Sequence, residues 1–467
     1  MSQSFLKSAS YSLLCLAAGL ASVLLLQSCG KDELKVDEVE YPYIFLITAD
    51  DLGMQLGAYG DAIARTPNLD QLAAEGILFH NAYVTQSSCS PSRSSMLTGQ
   101  YPYRNGQVGL ANPNSSFMLM PGTKTLPDLL KAHGYFTGVI GKVHVNPEEA
   151  VRFDFERINP EETREMDKTL GFLHSAFLEQ RNRAMFMMIN LYDPHVDESK
   201  QFPDQVAGLP EQLFTASEME ALPFQGIEHP EQLARIASYY NAVSRLDAIV
   251  GGLVEFLKVQ GVYDQSMIIV MSDNGPPFTR AKTSCYEAGV NVPLIIKMPS
   301  GETSIQSSRA LVSCHDLMPT ILEAAGAPVP EEVQGRSMLP LLRGEALTVR
   351  NRIITMSLYH TVNGFFPRRT IRQGDWKLIS NLDTSLTNPY PRVDADQAYA
   401  YAQQLPPEDS AVLEVFERYI KPPRYELYDL LNDPNELVNL AGKEEHAVRF
   451  EQLRADLRRW RNDNGDN

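Results

Sequence analysis

The chain has 467 residues, of which 43% are hydrophobic and 21% are charged, the balance of an ordinary globular protein. This composition excludes collagen, a long coiled coil and a wholly disordered chain. The formal net charge of −17 argues against nucleic acid as a partner, and it means that an anionic substrate has to be attracted by a local cationic pocket.

The first 30 residues have the pattern of a bacterial lipoprotein signal. Lys7 is the only charge before an apolar run that ends at Leu26-Gln27-Ser28-Cys29. The run is short for a membrane span, and a small residue precedes the cysteine. We therefore predict a signal peptide over residues 1–28 and lipidation of Cys29. A charged tether is predicted over residues 29–40. The protein is expected to be exported to the periplasm or outer membrane of a bacterium, with the lipid as its membrane contact. An uncleaved N-terminal anchor is the alternative.

Short apolar runs alternate with helical patterns between residues 41 and 345. The runs 43–48, 136–140, 185–189 and 267–271 are continuous, which is typical of strands buried on both faces of a parallel sheet. Helical spacing occupies residues 68–76, 125–133 and 232–259. This order predicts an α/β domain in which helices cover both faces of a doubly wound sheet.

The pattern changes after residue 345. Residues 369–372 and 376–379 flank a Gly374-Asp375 turn, which predicts two antiparallel strands. Another strand is predicted at 425–429 and an amphipathic helix at 444–462. We expect a smaller α+β subdomain over residues 346–467. The irregular, proline-containing segments 208–230 and 388–407 are predicted to be surface loops.

Polar residues directly follow each of the apolar runs. They are Asp50 and Asp51, Lys142 and His144, Asp193 and His195, and Asp273 and Asn274. Ligands of doubly wound sheets gather at the carboxyl ends of the strands, so these residues are expected to converge on one rim.

Three of these carboxylates and one amide form an all-oxygen set: Asp50, Asp51, Asp273 and Asn274. Such a set suits Ca²⁺, with Mg²⁺ as the alternative ion, better than zinc, which prefers histidine and cysteine. For either pair alone, an ordinary turn is an equally good interpretation. The combination of both pairs at strand ends with Cys89 favours a metal site.

The most informative segment is Cys-Ser-Pro-Ser-Arg at Cys89–Arg93. If Pro91 opens a helix, Arg93 lies one turn beyond Cys89 and can fold back over it. Lys142, His144, His195 and Lys282 each flank one of the anchored motifs, although any one of them alone could be an ordinary surface charge.

Together these motifs resemble the type I, formylglycine-dependent sulfatases of the alkaline-phosphatase superfamily, and among them most closely the heparan N-sulfatases (sulfamidases). The strings that carry the resemblance are Thr48-Ala49-Asp50-Asp51, Ser87 to Arg93 with Leu97-Thr98-Gly99, Ile140-Gly141-Lys142 with His144, Asp193-Pro194-His195, Ser272-Asp273-Asn274-Gly275 and Glu426-Leu427-Tyr428-Asp429.

The resemblance implies a fold, a modification and a set of roles. The fold is alkaline-phosphatase-like, a doubly wound mixed sheet sandwiched by helices, with residues 41–345 as the catalytic domain. A formylglycine-generating or sulfatase-maturating enzyme oxidises Cys89 to 3-oxoalanine, whose hydrate attacks the sulfur of a sulfated saccharide. The implied metal ligands are Asp50, Asp51, modified Cys89, Asp273 and Asn274. The implied catalytic residues are Cys89, Arg93, Lys142, His144, His195 and Lys282.

Individual roles follow from the same resemblance. Arg93 and the metal activate the nucleophile, and Lys142 and Lys282 offset charge on the sulfuryl oxygens. His195 or Lys282 protonates the leaving group, and His144 is the base that releases sulfate. Tyr192 stands where the family often has histidine, and Lys282 stands where sulfamidases suggest arginine. These departures concern the leaving-group side of the site, so the resemblance implies the reaction but leaves the exact substrate open.

Three alternatives stay open at this stage. The chain is an O-sulfatase acting on glycosaminoglycan or mucin sugars, a phosphodiesterase or phosphonate hydrolase of the same fold, or a glycan-binding lipoprotein that has lost catalysis. Cys285 and Cys314 are expected to be free, mostly buried thiols, because two remaining cysteines do not make a disulfide framework.

Overall fold

The computed structural model describes residues 35–112, 116–303 and 305–466. The predicted signal peptide and Cys29 lie outside these ranges. Within them, none of the helices combines the length and the apolarity that a membrane span requires. The last residues of the predicted tether contact the large α/β domain, since the Val36 amide donates to the Asn182 carbonyl at 3.3 Å and Glu40 pairs with Arg343 at 2.5 Å.

The described strands are, in chain order, β1 (Tyr43–Ala49), β2 (Ile77–Phe79), β3 (Ala82–Tyr83), β4 (Phe136–Gly141), β5 (Phe155–Arg157), β6 (Met185–Leu191), β7 (Ser266–Ser272), β8 (Leu294–Lys297), β9 (Ser307–Ser308), β10 (Val312–Ser313), β11 (Ile353–Ser357), β12 (Arg368–Gln373), β13 (Trp376–Asn381) and β14 (Tyr425–Asp429). The described α-helices are α1 (Pro67–Glu75), α2 (Cys89–Thr98), α3 (Pro102–Asn105), α4 (Leu126–Ala132), α5 (Met166–Glu179), α6 (Pro230–Val259), α7 (Glu287–Val290), α8 (Leu317–Ala324), α9 (Leu339–Leu342), α10 (Ala398–Ala402), α11 (Ser410–Ile420) and α12 (Ala447–Asn464).

The large sheet has the strand order β5-β4-β6-β1-β7-β8-β2-β9 within the described ranges. The first five strands of this order, which are β5, β4, β6, β1 and β7, run parallel to one another. Strand β8 is antiparallel to both of its neighbours, β7 and β2. All residues of β1, β4, β6 and β7 are buried, because helices cover both faces. The predicted doubly wound α/β fold with a mixed sheet is confirmed.

Successive β1 residues belong to two separate cores. Ile44 and Leu46 pack with helices α2, α4 and α8 on one face, and Phe45 and Ile47 pack with α1, α5 and α6 on the other. This alternation is the period of two that a strand imposes on its side chains. The two helical layers hold the sheet rigidly, so that its rim can position side chains accurately.

The C-terminal region contains an antiparallel sheet in the order β11-β12-β13-β14, against which Leu453, Leu457 and Trp460 of α12 pack. The predicted α+β subdomain with an antiparallel sheet is therefore confirmed. Cys285 and Cys314 are free and buried, as expected.

The surface-loop predictions for 208–230 and 388–407 are wrong in part. Phe214 and Phe224 of the first segment are buried in the core of the large domain. In the second segment, Asp396 is completely buried and accepts hydrogen bonds from Gln225 and Gln232. Irregular backbone is no guide to exposure when its polar groups find partners inside the molecule.

A buried ion network joins the large domain to the C-terminal sheet. Glu287 of α7 accepts hydrogen bonds from Lys377 and Arg372, both at 2.9 Å, and Glu436 lies 2.9 Å from the same Lys377 ammonium group. Burial, aided by the negative charge of Glu287, raises the pKa of Glu436 to about 7 despite the attraction of Lys377.

This network makes the stability of the protein depend on pH. Because the folded-state pKa of Glu436 lies above the ordinary value of about 4.3, its stabilising effect is complete below that value and is lost as the pH rises through about 7. We expect the free energy of unfolding to fall by about 1–2 kcal/mol more in the parent than in Glu436→Gln between about pH 5 and about pH 8. Urea unfolding at several pH values measures this difference. The exposed Glu445→Gln is the control, and equal pH slopes for the parent and Glu436→Gln would contradict the assignment.

Candidate active site

The carboxyl ends of the central parallel strands lie level with one another. Ala49 at the end of β1 pairs with Leu191 of β6 and Ser272 of β7. The residues that follow β1 and β7 therefore start at the same height. The Asp51 amide donates to Asp273 Oδ1 at 3.1 Å, and Asn274 Nδ2 donates to Asp51 Oδ1 at 2.7 Å. All four predicted oxygen ligands, from Asp50 to Asn274, are completely buried.

Helix α2 begins at Cys89 and carries this residue to the acidic group. Cys89 Sγ lies 3.5 Å from Asp50 Oδ1. Every residue of the helix is buried, and the helix ends at Gly99, whose φ of 65° suits glycine. The predicted helix over the Cys89–Arg93 motif is present, and one turn separates the thiol from the guanidinium.

Arg93 binds the acidic groups instead of extending toward solvent. Its Nε donates to Asp273 at 2.7 Å and its Nη2 to Asp50 at 3.3 Å, while Nη1 donates to Thr48 Oγ1 and the Lys142 carbonyl at 3.3 and 3.0 Å. Four of the five guanidinium N–H groups are thus used by the protein. Arg93 fixes two carboxylates beside Cys89 and offsets their charge.

Two lysines complete the cationic border. Lys142 Nζ donates to Asp50 Oδ2 at 2.7 Å, and Lys282 Nζ donates to Asp51 Oδ2 at 2.7 Å. Lys282 is almost fully buried, at 2% exposure. The carboxylates of Asp394 and Asp51 raise the pKa of Lys282 above its usual value despite burial, so the group remains an ammonium.

The predicted histidines lie at the same rim. His195 Nε2 is 3.7 Å from Asp51 Oδ2, and its Nδ1 donates to the Val196 carbonyl at 2.5 Å, which leaves Nε2 as the acceptor nitrogen of the neutral ring. His144 Nδ1 is buried and has no hydrogen-bond partner. Burial, together with the positive charge of Lys142, holds the pKa of His144 well below its usual range.

Asp193, in contrast, is turned away from the rim. Arg245 binds it with two hydrogen bonds of 2.7 Å, and Arg164 adds another at 3.0 Å. This carboxylate supports the loop that carries His195.

Burial and the neighbouring cations have opposite effects on the acidic group. At Asp50 the positive charges of Lys142 and Arg93 hold the pKa well below its usual range despite burial, whereas burial prevails at the other two carboxylates. Burial raises the pKa of Asp51 to about 6, with partial relief from Lys282, and also raises the pKa of Asp273 to about 6, aided by the charge of Asp50. Burial likewise raises the pKa of the Cys89 thiol well above its usual value. The encoded thiol is therefore a weak nucleophile in this site, because the thiolate is the reactive form.

The acidic group fits a divalent cation. Ligand atoms of Asp50, Asp51, Cys89 and Asp273 all lie within 4.8 Å of one another. Asn274 Oδ1 is buried and has no hydrogen-bond partner, which is the condition of an oxygen atom available to a cation. The chemistry of this set, hard oxygens with no histidine cluster, is that of Ca²⁺ or Mg²⁺.

Two neighbours of the site were not predicted. Asp394 Oδ2 accepts from Lys282 at 2.9 Å, and its ligand atom groups with those of Asp51 and His195. His360 Nδ1 lies 2.9 Å from the hydroxyl of Ser88, the residue before Cys89. Both belong to the C-terminal subdomain. Neither lies in one of the motifs that carry the resemblance, and Asp394 lies in the segment predicted to be a surface loop.

The doubly wound mixed sheet, with polar residues at the carboxyl ends of its parallel strands, has the alkaline-phosphatase-like fold. Solved structures of this fold superpose on 90–91% of the chain. BT4656 in complex with its substrate D-glucosamine-2-N,6-O-disulfate matches with a TM-score of 0.67 at 21% identity, covering 99% of that chain. The phosphonate monoester hydrolase of Agrobacterium radiobacter matches with a TM-score of 0.68 at 20% identity, covering 96% of that chain.

Sequence comparison identifies the family within this fold. The sulfatase family model matches residues 42–327, and the model described as N-sulphoglucosamine sulphohydrolase, C-terminal, matches residues 280–388. The human (Homo sapiens) N-sulphoglucosamine sulphohydrolase is 32% identical over 450 residues, covering 89% of each chain. The chain belongs to the sulfatase family and is a hydrolase of the sulfate ester or sulfamide class.

Proposed function

We propose that this protein removes sulfate from sulfated glycans, with N-sulfoglucosamine units of heparan or heparin as its substrate. The observation that supports this proposal most strongly is the meeting of Asp50, Asp51, Asp273 and Asn274 with Cys89 at one sheet edge, in a chain that is 32% identical to a sulfamidase over nearly its full length. With a divalent cation bound to the acidic group, the charges of Lys142 and Lys282 would be available to attract an anion to this buried rim, although the whole chain carries a charge of −17.

The site requires two groups that the chain alone does not encode. A Ca²⁺ or Mg²⁺ ion held by Asp50, Asp51, Asp273, Asn274 and position 89 would supply Lewis-acid stabilisation of charge on the sulfuryl group. Oxidation of Cys89 to formylglycine by a maturation enzyme would supply a more reactive nucleophile than the thiol.

The residues of the chain itself have separable roles in this proposal. Arg93 holds Asp50 and Asp273 in place beside position 89. Lys142 and Lys282 lie on the two sides of the acidic group and offset charge on the sulfuryl oxygens. His144, with its unpartnered Nδ1, is the base, and Lys282 is the better placed proton donor because His195 Nε2 carries no proton in the neutral ring.

The direct test is an assay of the matured enzyme on defined heparan saccharides carrying a single N-, 2-O-, 3-O- or 6-O-sulfate. We expect N-sulfoglucosamine to be hydrolysed with a kcat/KM at least about a hundredfold above the O-sulfated sugars, because a site matched to one leaving group rejects the other. A preference for an O-sulfate would support the O-sulfatase alternative, and turnover of none of them would contradict the proposed substrate class.

Phosphonate or phosphate ester hydrolysis is the second candidate, favoured by the structural match to a phosphonate monoester hydrolase. Comparing the turnover of an aryl sulfate, a phosphate diester and a phosphonate distinguishes the two functions. The proposal requires the sulfate ester to be the best of the three.

Asp394 is proposed to recognise the sugar. Its carboxylate lies 2.9 Å from the Lys282 ammonium group but comes from the C-terminal subdomain, and its side chain keeps 12% exposure. We expect Asp394→Asn to raise KM for a saccharide by about tenfold, because a carboxylate accepts sugar hydroxyls more strongly than an amide does. KM for an aryl sulfate should change much less. The exposed Asp383→Asn is the control, and an equal effect on both substrates would show that Asp394 acts only by holding Lys282.

The export hypothesis belongs to the same proposal. Residues 1–28 and Cys29 have the pattern of a lipoprotein signal, which would place the enzyme on the outer side of a bacterial inner membrane or on the outer membrane. Metabolic labelling with a fatty acid analogue, compared between the full chain and Cys29→Ala, tests this part separately from catalysis.

A further inference from the structure

A second anion-binding feature lies away from Cys89. A cleft of about 240 Å³ opens where helix α12 meets the segment after helix α2. Its lining includes Tyr101, His315, Arg336, Arg350, Arg352 and Trp460. Because Cys89 begins α2 and Tyr101 follows its end, about 14 Å of helix lies between the cleft and the thiol.

The cleft is cationic in a chain that is strongly anionic. Arg350 and Arg352 are two apart in the segment that leads into β11, and Arg336 adds another guanidinium group. The lining includes no carboxylate. The adjacent Asp316 pairs with Arg350 and leaves an excess of about two positive charges at neutral pH.

Two of these arginines have unused hydrogen-bond donors. The Arg350 side chain is only 9% exposed, and its Nε has no partner. In the part of the chain that the structure describes, the Arg352 side chain makes no hydrogen bond and no ion pair. A buried, unsatisfied guanidinium donor is costly unless a ligand or water completes it, so this donor points to an oxyanion partner.

Aromatic rings form the other wall. The rings of Tyr101 and Trp460 meet edge to face at 5.2 Å, and the ring of His315 lies 4.6 Å from that of Tyr101. Aromatic surface next to guanidinium groups suits a ligand that has an apolar face and an anionic substituent. The volume is that of a single sugar unit rather than an extended chain.

We propose that this cleft is a binding site for a sulfate group carried on a saccharide unit, separate from the site at Cys89. The guanidinium groups of Arg350 and Arg352 bind the sulfate oxygens, and the edge of the aromatic wall contacts the sugar ring. The class of ligand rests on the proposed sulfated-glycan substrate, whereas the location of the cleft does not. Such a site anchors one unit of a polymeric substrate or a neighbouring chain while another unit is hydrolysed.

Calorimetric titration of the full chain tests the proposal. Cys89→Ala prevents turnover, and an N-sulfated heparan disaccharide is too short to span both sites. We expect two binding events in Cys89→Ala. When Arg352→Glu is combined with it, the event at the cleft should become at least about tenfold weaker, because a charge-assisted contact is replaced by repulsion, and the other event should remain. The exposed Arg336→Glu is a second variant that should weaken the event at the cleft.

Matched controls decide the interpretation. Arg458→Glu makes the same charge change on an exposed position of α12 and should leave both events intact. The desulfated disaccharide should lose the second event, and inorganic sulfate should bind it more weakly than the sulfated sugar. Binding that Arg352→Glu leaves unchanged, or equal affinity for inorganic sulfate, would overturn the saccharide site. A single event that Arg352→Glu abolishes would instead count against binding at Cys89.

The matured enzyme carrying Arg352→Glu separates this inference from the proposed activity. Its kcat/KM on a sulfated monosaccharide should equal that of the parent, while KM for a longer oligosaccharide rises several-fold. Identical KM values for the two enzymes on the oligosaccharide would contradict a role in substrate binding.

Discussion

Replacement of Cys89 by alanine will reduce sulfate release by about 10⁴-fold or more, because the variant has no side chain that can be converted into the nucleophile. The fold should tolerate the change, since the residue adds little volume to a helix whose other nine residues are also buried. Turnover of an aryl sulfate and of N-sulfoglucosamine, measured on protein produced with a maturation enzyme, gives the result.

Cys285→Ala is the matched control, because Cys285 is also buried and free but packs in a separate cluster with Tyr286 and Tyr428. It should keep parental activity. Mass spectrometry of the active parent should also find the peptide containing Cys89 lighter by about 18 Da, the change expected for oxidation of the thiol to an aldehyde. Activity that persists in Cys89→Ala, or an unmodified Cys89 in fully active enzyme, would contradict the proposed nucleophile.

Asp51→Asn is expected to lower kcat by about a thousandfold and to weaken Ca²⁺ binding at the same time. Asparagine keeps the shape of the side chain but removes one of three clustered negative charges. Lys282 donates to Asp51 Oδ2 at 2.7 Å, so the substitution removes one of its two carboxylate partners. Its positive charge is then less neutralised and repels the bound cation more strongly. Metal content after dialysis and the dependence of the unfolding temperature on added Ca²⁺ measure the binding effect independently of turnover.

The control for this variant is Asp128→Asn, an exposed carboxylate on α4 that contacts Lys131 at 3.3 Å and accepts a hydrogen bond from the Thr125 hydroxyl at 2.7 Å. Chelation of the parent should reproduce the Asp51→Asn loss, and added Ca²⁺ should restore the parent alone. Parental metal content together with parental kcat in Asp51→Asn would contradict the assignment of the acidic group as a cation site.

Local sequence was sufficient for the elements that depend on short-range periodicity. The runs that became β1, β4, β6 and β7 are continuous and apolar, and such segments have few alternatives to burial between helical layers. Parallel strands place their carboxyl ends at one edge, so the convergence of Asp50 with Asp273 could be predicted before any coordinates. Likewise, the five residues of the Cys89–Arg93 motif are sufficient to predict a helix and the one-turn separation between the thiol and the guanidinium group.

Contacts between distant segments could not be predicted in the same way. Asp394 reaches Lys282 across 112 residues of sequence, and His360 reaches Ser88 across 272. The irregular composition of residues 388–407 predicts a surface loop, but Asp396, two residues after Asp394, is completely buried and accepts hydrogen bonds from glutamine side chains. Whether a polar loop residue is exposed depends on which distant groups satisfy it.

The sequence alone thus determined the class of fold, the acidic strand ends and the candidate nucleophile, because these follow from side-chain periodicity and from motifs confined to a few residues. Only the tertiary structure decided that Arg93 binds Asp50 and Asp273, that the C-terminal subdomain contributes Asp394 to the site, and that Arg350 and Arg352 line a separate cleft. These features depend on the packing of segments that are distant in sequence, which determines burial, and burial determines how strongly the charges interact.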